Sequence, residues 1–385
     1  MKKNIIKKHL ITQTKESSGD HLTSVVFELE GLKGPEVYVQ ASMHGAELQG
    51  NGVIYHLLSF FDEYTLKGKM KLLPLVNPTA SNTHSGGHTQ GRFEPMTGEN
   101  WNRLYTDILK KEEMETKLNL KKFVSDNLKE TESEIRKKFK KKLKDALIHY
   151  KNFTKSNLHG MDGLRTHHLE LQIKASSADI VLDLHTGPIA TDYLYTADYM
   201  KERAWQTKFP FILVIPSEFA GAMDEACFSP WVGLYLEFAN QGRNLNNHFD
   251  SFTVELGSEE ILDLAHAKTQ TFRLLQYLAS KGVCELGDVK KWGKGHDNPK
   301  EQYWCLLKDY RRYYSPSGGL INYRKKPGEF FEQNDILFEL LNFKEAKHLT
   351  PVKACTDGIV IYHHTSSSVR EGTNVMHVME NYFKF

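Results

Sequence analysis

Cysteine is scarce in this chain: four residues in 385, at positions 227, 284, 305 and 355, with no Cys-x-x-Cys among them. That scatter gives neither a zinc ribbon nor a disulfide framework, and a reduced, cytoplasmic protein is expected. Long apolar runs are missing too. No stretch approaches the ~20 residues of a membrane span. The basic N-terminus passes from Ile5 and Ile6 straight to Lys7, Lys8 and His9, without the apolar core of a secretory signal. No membrane partner is expected. Excess charge of either sign is also lacking. Lys and Arg number 50 against 48 Asp and Glu, a net +2, which gives no basis for a nucleic-acid partner. What is present is ordinary for a globular chain, 40% hydrophobic and 25% charged, and the length suits two domains.

The pattern is organised around Val37 to Glu47. Val37 to Ala41 reads as a buried strand that runs into Ser42, Met43 and His44. Gly45 gives a tight turn, and Ala46 to Phe61 reads as a helix with Glu47 in its first turn. His44 and Glu47 thus converge at the carboxyl end of a strand, where open α/β sheets place their sites. One imidazole and one carboxylate there suit zinc, which takes N and O ligands. His-x-x-Glu also occurs at His167/Glu170 and His377/Glu380. The first of these lies in an expected helix and suits a solvated surface pair. The second lies in an expected strand, where i and i+3 point to opposite faces.

The rest of the chain alternates strands and helices. Residues before 37 read as a hairpin or an edge strand, and Lys69–Val76 as a strand stopped by Asn77-Pro78. Ser81 to Gly98 is a long polar loop containing Arg92. From 104 the composition turns Lys- and Glu-rich, with Ile135, Phe139, Leu143 and Leu147 every four residues along one face, a helical insertion whose lysines read as a solvated face. Further strands are expected at Asp179–His185, Phe209–Ile215, Gly233–Ala239 and Asp250–Gly257, and a helix at Ser258–Ser280 opened by Ser258 and Glu260. Residues 286–302 have linker composition. Short β runs with turns at Gly318-Gly319, Pro327-Gly328, Asn334-Asp335 and Asp357-Gly358 follow. The expected fold class is α/β, a doubly wound, mostly parallel or mixed sheet over 1–285, with a helical insertion at 104–158 and a small all-β domain at 303–385.

Polar residues recur at the strand ends: His44 with Glu47, Asn102-Arg103, His185 in Asp-Leu-His-Thr-Gly, and Glu255 in Thr-Val-Glu-Leu-Gly. Two His and one Glu fill three zinc positions and leave a fourth for water, the catalytic arrangement. A further carboxylate is then needed for proton transfer, and Glu255 is the candidate. The plainer readings are a satisfied core histidine for His185 and a strand-end ion pair for Glu255. All of them holding at successive strand ends is the harder coincidence.

Taken in order, Val-Gln-Ala-Ser-Met-His44-Gly-Ala-Glu47, Asn77-Pro78, Arg92, Asn102-Arg103, Asp-Leu-His185-Thr-Gly and Thr-Val-Glu255-Leu-Gly resemble the succinylglutamate desuccinylase/aspartoacylase family of carboxypeptidase A-like zinc hydrolases. The resemblance covers roughly residues 35–280. It implies a sheet of zinc-carboxypeptidase type, one zinc per chain on His44, Glu47 and His185, and Glu255 as general base. It further implies Arg92 as the stabiliser of the oxyanion, and Asn102 with Arg103 as the grip on a substrate carboxylate. Asn100-Trp101 depart from the family's usual acidic residue and Leu before Asn-Arg, and the 104–153 helical segment is long for the family. The C-terminal run is similar to barrel-sandwich modules of the lipoyl/biotinyl type, without a Lys acceptor motif. The implied activity is hydrolysis of a small-molecule N-acyl amino acid. The rivals are a metallocarboxypeptidase acting on peptide C-termini and a non-catalytic binding protein on the same fold. Oligomeric state, a homo-oligomer included, is left open.

Overall fold

The computed structural model describes residues 4–385 except 90, 158, 161 and 345–348, so the expected end of the insertion at 158 lies outside the described residues. Ten strands form one mixed sheet. In spatial order they are Ile5–Lys15, His21–Glu30, Lys67–Leu73, Leu32–Ala41, Ile180–Gly187, Asp250–Ser258, Asp192–Ala197, Phe211–Ile215, Tyr303–Leu306 and Phe383–Lys384. The run from Lys67–Leu73 to Asp250–Ser258 is parallel throughout. Asp192–Ala197 then pairs antiparallel with Asp250–Ser258. The first two strands make a hairpin at the edge of the sheet, the first of the two expected alternatives.

Alternation along Ile180–Gly187 sends its residues to two covered faces. Leu184 faces the helix Gln49–Glu63, close to Ala41, and that helix packs against Leu264–Ser280. Asp183 faces the other way, toward Cys227 on the helix Met223–Asn240. The strand is buried at every position, which is why it reads as an unbroken apolar run rather than an alternating one.

The insertion carries the helices Glu113–Thr116, Leu120–Asn127 and Glu132–Ser156. Ile135, Phe139, Leu143 and Leu147 are buried, joined by Ala146 and Tyr150. Several expectations are overturned. Gly233–Ala239 is not a strand but the second half of the helix Met223–Asn240, which holds Pro230 and Gly233 in its interior. The helix read from Ser258 begins at Leu264, capped by Asp263, whose side chain accepts from the His266 N–H, because the preceding strand runs on through Ser258. Within 286–302, read as linker, Leu286–Trp292 is helical and buries Val289 in the main core.

Beyond it, a four-stranded sheet and a five-stranded one, which takes in Ile189–Ala190 from the first part of the chain, enclose a separate cluster around Leu337, Phe338, Val360 and Met376. A second seam joins this part to the large sheet. The short strand Ile189–Ala190, just past His185, pairs with Gly358–His363, and Ile359, Ile361 and Met379 pack on Phe211, Leu213 and Cys305. Among the described residues no helix is long and apolar enough to cross a membrane.

Candidate metal centre

After Ala41 the chain bends sharply. Ser42 adopts φ +60°, a region that costs a side chain of its type of order 1–3 kcal/mol unless its surroundings hold it. Its hydroxyl donates to the Glu47 carbonyl at 2.9 Å and accepts from Asn51 Nδ2 at 2.8 Å. The Glu47 N–H closes the turn on the His44 carbonyl at 3.2 Å. A Cβ at Gly45 would stand 2.1 Å from the Ala80 carbonyl oxygen, so the turn needs glycine. The outcome corrects one expectation: Glu47 is not in the first helical turn, because the helix starts at Gln49. The bend, rather than helix periodicity, turns His44 and Glu47 toward one point.

His185 meets them there. His44 Nδ1 is 2.8 Å from Glu47 Oε1, and His185 Nδ1 is 2.6 Å from Glu47 Oε2. The three residues are buried, and their ligand atoms lie within 4.8 Å of one another. Burial pushes the Glu47 carboxyl up, but the two imidazoles outweigh it and hold Glu47 well below the usual carboxylate range. Burial opposes charge on His185, yet Asp183 and Glu47 raise it well above the ordinary imidazole value.

The far ring nitrogens have acceptors of their own. His44 Nε2 lies 2.9 Å from Asn100 Oδ1 and His185 Nε2 lies 2.8 Å from Asp183 Oδ2. A proton on each Nε2 leaves each Nδ1 directed at Glu47, the arrangement that fixes imidazole ligands around a metal. Asp183 is anchored in turn by Gln40 Nε2 at 2.8 Å, and Gln40 by the hydroxyls of Tyr38 and Tyr105. Two imidazole nitrogens and a carboxylate oxygen fit a divalent ion of the zinc type.

Glu255 lies beside this cluster. It is in register with His185 on one neighbouring strand and Tyr193 on the other, so the three project from one face. Its Oε2 is buried without a hydrogen-bond partner among the described residues. Burial first, then the Glu47 charge, pushes its carboxyl up to about 8, against the pull of His185 and Arg92. An unpaired buried carboxyl of this kind needs a cation or a proton-exchanging ligand to satisfy it.

Arg92 places Nη1 3.3 Å from Glu47 Oε1 with half its side chain exposed. Buried Asn102 puts Nδ2 3.3 Å from His185 Nε2 and accepts from the Met223 N–H. The exposed Arg103 side chain donates from its guanidinium to the Asn102 carbonyl at 2.6 Å. The other His-x-x-Glu pairs make no centre. His167 is buried rather than solvated, bonded to the Val76 carbonyl, while Glu170 pairs with Lys151. His377 bonds to Tyr362 and Asn374.

Sequence reasoning missed Asp183, Asn100 and Glu259. Asp183 had a signal, since i and i+2 on a strand share a face with His185. Asn100 had none, because its reach to His44 spans a loop. Glu259 is pushed up to about 7 by burial and by Glu47, with Arg92 opposing, and its place beside the cluster depends on the strand's exit path.

The catalytic-domain model of the succinylglutamate desuccinylase/aspartoacylase family matches residues 33–145. A succinylglutamate desuccinylase/aspartoacylase family protein from Shewanella amazonensis is 34% identical, with 98% of this chain and 100% of that one covered at a TM-score of 0.88. A second, from Shewanella frigidimarina, is also 34% identical, covering 100% and 99%, at the same TM-score. A succinylglutamate desuccinylase from a Silicibacter species shares the fold at 14% identity, over 98% and 96%, with a TM-score of 0.63. No curated protein matches.

Proposed function

The chain belongs to the succinylglutamate desuccinylase/aspartoacylase family, and on that premise we propose that it is a zinc-dependent amidohydrolase cleaving the amide bond of a small N-acyl amino acid. The observation that carries the reading is the convergence of His44, Glu47 and His185 with a buried, unpartnered Glu255 in register on the next strand. Zinc held by the three residues supplies Lewis acidity to the site. Glu255 takes a proton from the attacking water and returns it to the leaving amine, a role that suits a carboxyl held near neutrality. The Arg92 guanidinium faces the charge that develops on the carbonyl oxygen. Arg103, beside Asn102, grips the substrate's free carboxylate with its planar fork.

The parallel run of four strands, three of which lead into these residues, supports a sheet of zinc-carboxypeptidase type. We take residues 1–285 as the hydrolase unit, with 303–385 as a β unit seated against it. Four free cysteines suit a reducing cytoplasm.

The test is amine release from a panel of N-acyl amino acids by zinc-loaded protein, with free acids expected to outrun their methyl esters. Glu255→Gln should keep its zinc and lose about 10²–10⁴-fold in turnover. Near-normal turnover in that variant moves the base elsewhere. Faster release of C-terminal residues from peptides than of amine from acylamino acids favours a carboxypeptidase instead.

A further inference from the structure

We infer that Glu260 is a positioning residue whose carboxylate clasps the loop carrying Arg92 and so sets where that guanidinium stands over the His44–Glu47–His185 cluster. The inference rests on the role proposed above for Arg92.

Next to Arg92 the loop is pinned by its backbone, the Gly45 N–H donating to the Gly91 carbonyl at 2.9 Å and the Trp101 N–H to the Arg92 carbonyl at 3.3 Å, but its earlier part, 84–89, has little of its own to hold it. It contains one short hairpin, His84–Ser85 with His88–Thr89, turned by Gly86 and Gly87, where an added Cβ would meet nothing within 4 Å. Segments with so few packed contacts open readily. Glu260 supplies a bond from each oxygen. Oε1 accepts from the Thr89 backbone N–H at 2.6 Å and Oε2 from the Thr89 hydroxyl at 3.1 Å. Thr89 lies three residues before Arg92. Two charge-assisted hydrogen bonds to one residue fix orientation as well as distance.

The backbone of Glu260 is itself committed to this place. Its φ is +62°, uncommon for a residue other than glycine, asparagine or aspartate. Its N–H donates to the Ala46 carbonyl at 2.7 Å, next to Glu47. The preceding N–H, of Glu259, donates to the Gly187 carbonyl at 2.9 Å, two residues past His185. Glu260 follows Glu255 by five residues on the same strand exit. One residue therefore ties together the three segments that hold Glu47, Arg92 and Glu255. A glutamate whose sole duty was to keep the surface soluble would not spend both oxygens on one loop residue and its backbone on another.

The experiment compares Glu260→Ala, Glu260→Gln, Thr89→Val, Arg92→Ala and the Glu260→Ala/Arg92→Ala double variant of the full chain loaded with zinc. Hydrogen exchange over residues 84–94 should rise roughly tenfold or more in Glu260→Ala, with zinc content and thermal midpoint near wild type. Glu260→Gln, which keeps one acceptor oxygen, should recover part of the protection, and Thr89→Val should lie between. In amine release, Glu260→Ala should lower kcat about 10–100-fold with little change in KM, because a displaced guanidinium is missed most in the transition state. In the Arg92→Ala background the same change should cost nearly nothing more. Unchanged exchange in Glu260→Ala overturns the clasp, as does a loss of kcat equally large with and without Arg92. If wild-type protein releases no amine from any acylamino acid, the proposed function fails, while the exchange comparison still decides for or against the clasp.

Discussion

Asp183 carries no exposed surface and is bonded through both oxygens, one to His185 Nε2 and one to Gln40. Asp183→Asn keeps the shape and removes the charge that orients the imidazole. Zinc affinity should fall about 10–100-fold, read by chelator competition; unchanged affinity would mean that Asp183 serves packing alone. His167 makes a different prediction, about stability. Its Nε2–H donates to the Val76 carbonyl, its Nδ1 is buried without a partner, and burial, with His168 beside it, lowers its pKa to about 3. The unfolded chain, with an ordinary imidazole near 6.5, takes up the proton first. The neutral histidine's contribution is therefore complete above pH ~6.5 and is lost as pH falls toward the folded value, at ~1.4 kcal/mol per pH unit. Wild type should lose about 2 kcal/mol on this account by pH 5. His167→Gln retains a donor without titrating and should flatten the slope of urea stability against pH by about one proton. An unaltered slope would assign the acid sensitivity to other groups.

At the level of elements, the helix after His44 is brought against the sheet by glycines. A Cβ at Gly50 would lie 2.8 Å from Leu184 Cβ and 2.9 Å from Ala41 Cβ, and one at Gly52 would lie 2.8 Å from Ala267 Cβ on the partner helix. Gly50→Ala must push the helix off the strands that carry His44 and His185, at a cost of about 1–3 kcal/mol in urea unfolding. Gly287→Ala sits in a helix with nothing within 4 Å and should be neutral or stabilising by up to ~1 kcal/mol. Equal effects at the two sites would argue against the close approach. The elements also show where patterning misleads. Gly233–Ala239 has strand-like composition, but Asp224 and Glu225 at the helix start and packing against the sheet hold it helical despite Pro230 and Gly233. The insertion helix was legible because a solvated lysine face opposite a buried stripe leaves a periodic signal.

Across the whole molecule, the C-terminal β sheets share a core with the large sheet. Ile361 is wholly buried in the cluster that joins Phe211 and Leu213 to Ile359 and Met379. The Thr191 N–H donates to the Ile361 carbonyl at 3.1 Å, across the seam. Two regions coupled this way should unfold in one transition. Ile361→Ala is expected to cost about 2–5 kcal/mol and to shift the tryptophan fluorescence and circular dichroism midpoints together. Two separated transitions, with only one moved by the variant, would show instead that the β sheets unfold independently.

The sequence by itself determined most of the alternation of strands and helices, Gly233–Ala239 and Leu286–Trp292 excepted, the strand-end placement of His44, His185 and Glu255, and the family, because those signals are local: an apolar run, a turn residue, a polar residue at its end. Tertiary structure decided what those residues do to one another. The bend at Ser42 and Gly45 turns Glu47 toward both histidines from outside any helix. The alignment of Asp250–Ser258 with Ile180–Gly187 puts Glu255 beside His185. Asn100 reaches His44, and Glu260 reaches Thr89, across 56 and 171 residues. Contacts of that separation follow from strand order and loop paths, which are set by how the whole chain buries its apolar faces and leave no periodicity in the sequence.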